Sequence, residues 1–120
     1  MQGQRPSVLV VDDDTSLRLL CRVNLELDGF EVREAANADD ARAAVANGRP
    51  DVVLLDVHLG AVSSDELLAE LRSAGIPVAL VTGSADITTL RGRADALLVK
   101  PFLPDALVAT ARRLATVADS

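Results

Sequence analysis

Residues 51–59, DVVLLDVHL, place four apolar side chains in a row between two aspartates. A short uninterrupted apolar run favours a strand buried on both faces, as in a parallel sheet covered by helices. Four similar runs occur, and each of the five is followed by a segment with helical periodicity. The runs are residues 7–12 (SVLVVD), 30–35 (FEVREA), 51–56 (DVVLLD), 77–82 (PVALVT) and 96–100 (ALLVK). This alternation predicts an α/β fold with a five-stranded parallel sheet between two layers of helices.

The segments that follow these runs carry helix signals. Predicted helices cover residues 15–27, 38–46, 63–73 and 85–91, and a fifth begins at Pro104. Asn37 is a favoured N-cap residue, and Gly29 can adopt the left-handed conformation that ends a helix. Ser63 and Glu66 have the spacing of a capping box, which predicts that the third helix begins behind Ser63. The second run alternates apolar and charged residues, so we expect it to form an edge strand.

Composition limits the size, the partners and the location of the protein. With 120 residues, 49% of them hydrophobic, the chain suffices for one domain with a buried core, expected over residues 6–117. A net charge of −6 disfavours direct contact with nucleic acid, whose phosphates are bound by clustered Lys and Arg. The sequence contains no signal-peptide pattern and no apolar run of about 18 residues, so we expect a cytoplasmic protein without membrane insertion. Cys21, the single cysteine, lies in an apolar helical pattern and is predicted to be buried.

Polar residues with suitable chemistry follow four of the five predicted strands. Asp12 and Asp13 follow the first, Asp56 the third and Thr82 the fourth, while Lys100, the single lysine, follows the fifth. The carboxyl ends of parallel strands meet at one edge of a sheet, where open α/β folds bind their ligands. Carboxylates gathered there repel one another unless a cation neutralises them, and Mg²⁺ prefers such oxygen ligands. The pattern therefore predicts a Mg²⁺ site beside a hydroxyl and an ammonium that can hold phosphoryl oxygens.

In combination, four motifs resemble the receiver domains of bacterial two-component response regulators, over residues 6–117. They are VLVVDDD with Asp12 and Asp13, DVVLLDVHL with Asp56, ALVTGSA with Thr82 and Gly83, and LLVKPF with Lys100 and Pro101. The resemblance implies a flavodoxin-like, doubly wound sheet of strand order 2-1-3-4-5 with five helices. It also implies that the peptide bond before Pro101 is cis, as is usual in the family.

The same resemblance implies a role for each residue. Asp56 would be the nucleophile that accepts a phosphoryl group from a histidine kinase or a histidine phosphotransfer protein. Asp13, Asp56 and the main-chain carbonyl of His58 would bind Mg²⁺, with Asp12 acting through metal-bound water. The phosphoryl oxygens would be held by Lys100, by Thr82 and by main-chain amides near His58 and Gly83. The resemblance thus implies that the protein is a signalling switch, monomeric or weakly dimeric, rather than an enzyme. It does not indicate the downstream protein partner.

Four positions depart from the family pattern. Gly60 stands where a proline is usual, and Ser63 and Ser64 stand where Asp-Gly or a similar pair is usual, which leaves the geometry of this loop open. Leu97 occupies the place of a Tyr or Phe that reorients on activation, so we expect that aromatic readout to be absent. His58 lies two residues after Asp56, where a side chain either tunes phosphoryl loss or has no role.

The first helix carries two apolar stripes. Leu17, Leu20, Cys21 and Leu25 are expected to face the core. The second stripe comprises Leu19, Val23 and Leu27. In the resembled family the kinase docks against this helix, so the second stripe is either a docking surface or, as the favoured interpretation, partly covered by the last helix.

Two other functions fit some of the same residues. A phosphohydrolase of the haloacid dehalogenase type also uses a DxD sequence after a strand, which residues 12–14 provide, together with a Thr and a Lys. The chain is short for that fold and lacks a late acidic pair for the metal. A pseudo-receiver that binds partners without phosphorylation is the other alternative, and the intact acidic and basic set argues against it. A receiver cut from a longer regulator or hybrid kinase would have the same sequence.

Overall fold

Five parallel strands form the centre of the fold. The computed structural model describes residues 5–60, 62–83 and 92–119. The strands are β1 (Ser7–Val11), β2 (Glu31–Ala35), β3 (Val52–Asp56), β4 (His58–Leu59), β5 (Val62–Ser63), β6 (Val78–Thr82) and β7 (Ala96–Val99). The helices are α1 (Thr15–Leu27), α2 (Ala38–Asn47), α3 (Asp65–Ser73) and α4 (Pro104–Asp119).

The sheet order confirms the predicted fold class. The main sheet runs β2-β1-β3-β6-β7 with every pair parallel, which is the expected order 2-1-3-4-5 counted over the five long strands. Strand β2 lies at one edge, as its alternating sequence predicted. The small antiparallel hairpin of β4 and β5 was not predicted. The helix expected at residues 85–91 lies outside the described residues.

Alternate strand residues supply two separate cores, one on each face of the sheet, because successive side chains in a strand point to opposite faces. On one face the strands meet α1 and α4, through Val8, Val10, Val52, Leu54, Ala79, Val81, Cys21, Leu25, Phe30, Leu107, Ala111 and Leu114. On the other face they meet α2 and α3, through Leu9, Val11, Val53, Leu55, Leu80, Ala41, Leu67, Leu68 and Leu71. The predicted burial of Cys21 is confirmed. No helix in the described parts of the chain combines the length and the apolar character that crossing a bilayer requires.

Most helix ends follow the expected local rules. Asp14 is the N-cap of α1, and its Oδ1 accepts hydrogen bonds from the amides of Ser16 and Leu17 at 2.9 and 3.2 Å. Asn37 caps α2 through a 2.7 Å bond from the amide of Asp40. Gly29 follows α1 with φ +95°, a conformation in which a side chain would be strained. The caps thus anchor each helix within a few residues of a strand end.

The capping box predicted for α3 is wrong. Ser64, rather than Ser63, is the N-cap residue, and no side chain caps the helix there. Ser63 pairs with His58 in the hairpin, so its backbone is committed to β5 before the helix can begin. The hairpin therefore shifts the start of α3 by one residue from the position that local spacing predicted.

The apolar outer face of α1 is exposed, which corrects two expectations. Leu20 was expected in the core but is 42% exposed. The favoured interpretation was that the last helix covers part of the stripe Leu19, Val23 and Leu27, but these side chains are 58%, 47% and 82% exposed. Helix α4 packs against the α1 face that carries Cys21 and Leu25 instead. Helix α1 therefore presents more apolar surface than its core contacts require.

Two leucines on α1 provide a matched test of this arrangement. Leu25 is fully buried and Leu27 is 82% exposed. Leu25→Ala should lower the free energy of unfolding by about 2–5 kcal/mol, because it leaves a cavity in the core. Leu27→Ala should change it by about 0.5 kcal/mol or less, as is usual at the surface. Urea unfolding of both variants checks this, and a large loss in Leu27→Ala would show that its side chain is covered in solution.

Candidate functional site

Three aspartates converge where β1 and β3 end. Asp12 and Asp13 directly follow β1, and Asp56 is the last residue of the adjacent parallel strand β3. One carboxylate oxygen from each lies within 4.8 Å of the others. Asp12 and Asp56 are buried, with 3% and 7% of their surface exposed, while Asp13 is open to solvent. The cluster offers hard oxygen donors with one open side, which suits a cation such as Mg²⁺ that keeps several waters.

Lys100 places a positive charge against this cluster. Its Nζ donates to Asp56 Oδ2 at 3.0 Å and lies 3.8 Å from Asp12 Oδ2. Burial by itself lowers the pKa of Lys100, but the bond to Asp56 and the charges of Asp56, Asp12 and Asp14 raise the pKa above its usual value overall. Lys100 therefore stays protonated at neutral pH and can attract further anionic oxygens.

Asp12 bears an electrostatic cost because it is buried in this site. Burial is the main reason that its pKa rises to about 6. The hydrogen bond from the Asp14 amide to Asp12 Oδ1, 2.9 Å long, opposes the rise, the interaction with Asp56 adds to it, and the charge of Lys100 opposes it. Without a cation, ionised Asp12 thus destabilises the site in which it lies, and a bound divalent cation would relieve that penalty.

Main-chain and side-chain groups hold Asp56 from several directions. The amide of His58 donates to Asp56 Oδ1 at 2.9 Å, and the buried hydroxyl of Ser64 donates to the main-chain carbonyl of Asp56. Neither contact was predicted. The sequence offered no signal for the bond from Ser64 because serine before a helix usually indicates an N-cap. Arg18 makes a comparable contact that was not predicted either, since its Nη1 donates to the main-chain carbonyl of Asp12.

Thr82 and Gly83 extend the site along the next strand. Thr82 ends β6, is 2% exposed, and its Oγ1 donates to the Gly83 carbonyl at 3.1 Å. The amide of Lys100 donates to the Thr82 carbonyl at 2.7 Å, which ties the lysine to the same strand end. The Lys100–Pro101 peptide bond is cis. The structure thus brings Asp12, Asp13, Asp56, Thr82 and Lys100 to the same edge of the sheet.

The loop after Asp56 differs from the family pattern for a steric reason. Gly60 has φ +65°, whereas a proline ring holds φ near −65°. The usual proline therefore cannot occupy this position in the observed hairpin. A Cβ at Gly60 would also lie 3.8 Å from Asp13 Oδ2. The hairpin between β4 and β5 consequently brings main chain close to the acidic cluster.

Leu97 does not take the position of an exposed aromatic switch. It lies in β7, is half-buried, and packs against the core beneath α2 and α3. The His58 side chain is exposed, and its main chain lies within reach of the cluster through the bond to Asp56. The predicted roles of both residues stay predictions.

Comparisons with known proteins agree on one family. A family model described as the response regulator receiver domain matches residues 8–112. The DNA-binding response regulator MtrA of Mycobacterium tuberculosis is 35% identical over 117 residues, which is 93% of this chain and 51% of that protein. The phosphate regulon regulator PhoB of Pseudomonas aeruginosa is 35% identical over 111 residues. The chain spans about half the length of the curated relatives it matches.

Solved structures show the same similarity. The receiver domain of NtrX from Brucella abortus superposes with a TM-score of 0.85 at 32% identity, covering 91% of this chain and 98% of that one. The chemotaxis response regulator CheY4 of Vibrio cholerae gives a TM-score of 0.82 at 28% identity, with 92% and 99% coverage. The match thus extends over nearly the whole of single receiver domains.

Replacing Asp12 by Asn should stabilise the metal-free protein. The amide retains an oxygen for the bond from Asp14 and removes a buried charge. Because the folded pKa of about 6 exceeds the ordinary 3.8, the penalty from ionised Asp12 is complete above pH 6 and is lost as the pH falls toward 3.8. In EDTA we expect Asp12→Asn to gain about 2 kcal/mol near pH 8 and much less near pH 4.5. Urea unfolding at both pH values measures the gain, and an equal gain at both would contradict this assignment.

Proposed function

The chain belongs to the family of response regulator receiver domains, and on that premise we propose that it is a Mg²⁺-dependent phospho-acceptor. Asp56 takes a phosphoryl group from a histidine kinase or a histidine phosphotransfer protein, and the modified domain changes its affinity for a downstream partner. The observation that carries the proposal is the position of Asp56. It is a buried carboxylate bonded to Lys100 at 3.0 Å and grouped with Asp12 and Asp13.

The chemistry needs positioning more than acid–base catalysis. A carboxylate oxygen of Asp56 attacks the phosphorus, a P–O bond forms, and the P–N bond to the donor histidine breaks with its electron pair returning to the imidazole nitrogen. Charge on the three equatorial oxygens is the quantity to be stabilised. Lys100 provides a cation for one oxygen, and the Thr82 hydroxyl with amides near His58 and Gly83 provides donors for the others.

The acidic cluster fits a divalent cation. Asp13, Asp56 and the main-chain carbonyl of His58 would hold Mg²⁺, and Asp12 would contribute through water. When bound, Mg²⁺ supplies the positive charge that offsets the crowded carboxylates and the incoming phosphoryl oxygens. Burial and the neighbouring Asp56 raise the pKa of Asp12 to about 6, and a divalent cation bound here would favour the ionised carboxylate.

The alternatives differ from the proposal in outcomes that can be measured. Family membership argues against a haloacid dehalogenase hydrolase, for which turnover of a generic phosphate ester is expected. A receiver shows no such turnover and hydrolyses only its own acyl phosphate, so the protein acts as a signalling domain rather than an enzyme. A pseudo-receiver would take up no phosphoryl group at all.

The exposed face of α1 is the proposed contact for the phosphoryl donor. Leu19, Leu20, Val23 and Leu27 leave an apolar surface on the helix that begins three residues after Asp12. A helix of the donor protein can bury that surface while it brings a phosphohistidine to the nearby strand ends. The net charge of −6 supports a protein partner rather than direct contact with nucleic acid.

The inward packing of Leu97 supports a switch that relies on Thr82 and the main chain.

Acetyl phosphate with Mg²⁺ should add one phosphoryl mass to the wild type. Asp56→Asn should abolish the adduct, since the amide oxygen is a poor nucleophile. Asp13→Ala should weaken Mg²⁺ binding and slow labelling at low Mg²⁺ because it deletes an anionic ligand. Intact-mass spectrometry and a Mg²⁺ titration measure both effects. Labelling of Asp56→Asn equal to that of the wild type would remove Asp56 from its role.

Val23→Glu should slow transfer from a donor kinase by about tenfold or more, because a charge enters the proposed apolar contact. Labelling by acetyl phosphate should stay normal, since Val23 is exposed and its substitution leaves the core intact. Ala69→Glu, at an exposed position on α3, provides the matched charge control. Equal transfer rates in the two variants, measured with radiolabelled kinase, would place the docking surface elsewhere.

A further inference from the structure

Arg18 joins three elements at the edge of the acidic cluster. It lies in the first turn of α1, and its side chain is 15% exposed. Its Nη1 donates to the main-chain carbonyl of Asp12 at 2.6 Å, and its Nε donates to Glu34 Oε1 in β2 at 3.0 Å. Its Nη2 lies 3.4 Å from the hydroxyl of Thr15. One planar group therefore spans the end of β1, the edge strand and the start of α1.

Asp12 is held by hydrogen bonds with three neighbouring residues. Its amide donates to the Ala35 carbonyl at 3.0 Å, its carbonyl accepts from Arg18, and its Oδ1 accepts from the Asp14 amide at 2.9 Å. Its Oδ2 is the oxygen that lies 3.8 Å from Lys100 Nζ. Three hydrogen bonds thus hold the amide, the carbonyl and Oδ1 of Asp12, while Oδ2 lies near Lys100.

We propose that Arg18 is a positioning residue for the metal and phosphoryl site, which it serves by fixing the main chain of Asp12 and thereby the direction of the Asp12 carboxylate. This inference rests on the proposed function, because it assumes that the acidic cluster binds Mg²⁺. Arg18 acts through the main chain, because its Nη1 donates to the carbonyl of Asp12. Glu34, 3.0 Å away, offsets part of its charge. Removing a group that orients a metal ligand from outside commonly lowers metal affinity by about 10- to 100-fold.

Arg22 provides a control from the same helix. One turn beyond Arg18, its Nη1 donates to Glu34 Oε2 at 2.8 Å and its Nε donates to Glu26 at 3.1 Å. Among the described residues, its side-chain hydrogen bonds go to these two glutamates and none reaches Asp12. Removing Arg22 therefore removes an ion pair with the same Glu34 and leaves the contact with Asp12 intact.

The test compares Arg18→Met, Arg18→Lys and Arg22→Met in the full 120-residue chain. We expect Arg18→Met to bind Mg²⁺ about tenfold more weakly than the wild type, measured by calorimetric titration. Arg22→Met should stay within about twofold, because exposed ion pairs contribute little. Arg18→Lys should fall between the two, since an ammonium can reach the carbonyl but cannot span three partners. In EDTA, hydrogen exchange at the Asp14 amide should accelerate in Arg18→Met and not in Arg22→Met.

The outcomes separate this inference from the function on which it rests. Equal Mg²⁺ affinity and equal amide exchange in folded Arg18→Met and Arg22→Met would reduce Arg18 to an ordinary ion-pair residue. If Arg18→Met does not fold, wild-type affinity in Arg18→Lys would overturn the inference, and weakened affinity would support it. A wild type that binds Mg²⁺ but takes no phosphoryl group from acetyl phosphate would defeat the proposed function, while the affinity difference would still support the position assigned to Arg18.

Discussion

The crowding of three carboxylates at the end of β1 and β3 is the constraint on which the rest of this structure depends. Asp12, Asp13 and Asp56 hold oxygens within 4.8 Å of one another, and two of the three are buried. Such a cluster is unfavourable by itself, because the carboxylates repel one another and because burial, the main cause of the raised pKa of about 6, penalises ionised Asp12. The arrangement persists because Lys100 supplies one positive charge at 3.0 Å and because the strands beneath cannot move apart.

The rigidity of those strands comes from their position between two cores. Strands β1, β3 and β6 are buried on both faces, so each residue along them packs against one helix layer or the other. A shift of one residue in register would exchange the two faces and disrupt both cores at once. The parallel pairing therefore fixes the positions of Asp12, Asp56 and Thr82 relative to one another.

The loop after Asp56 carries residues that depart from the family pattern. Gly60 permits a positive φ, and the pairing of β4 with β5 shifts the start of α3 to Asp65. Ser64 then becomes free to donate to the main-chain carbonyl of Asp56 instead of capping its helix. Arg18 holds the carbonyl of Asp12 in a comparable way from α1. Each buried aspartate of the site is thus supported by a side chain from a neighbouring helix.

The sequence by itself determined the five long strands, the helices between the described strands and the identity of the strand-end residues, because apolar runs and polar breaks are local properties of the chain. It also indicated that Asp12, Asp13, Asp56, Thr82 and Lys100 would meet, since parallel strands bring their carboxyl ends to one edge. Tertiary structure decided that the second apolar stripe on α1 is exposed, and it left Leu20 exposed where helical periodicity predicted core. It decided as well that Ser64 and Arg18 bond to carbonyls eight and six residues away along the chain. A helical pattern defines a face but not the neighbour that covers it, and a hydrogen bond to a main-chain carbonyl leaves no pattern in the sequence because every residue has one.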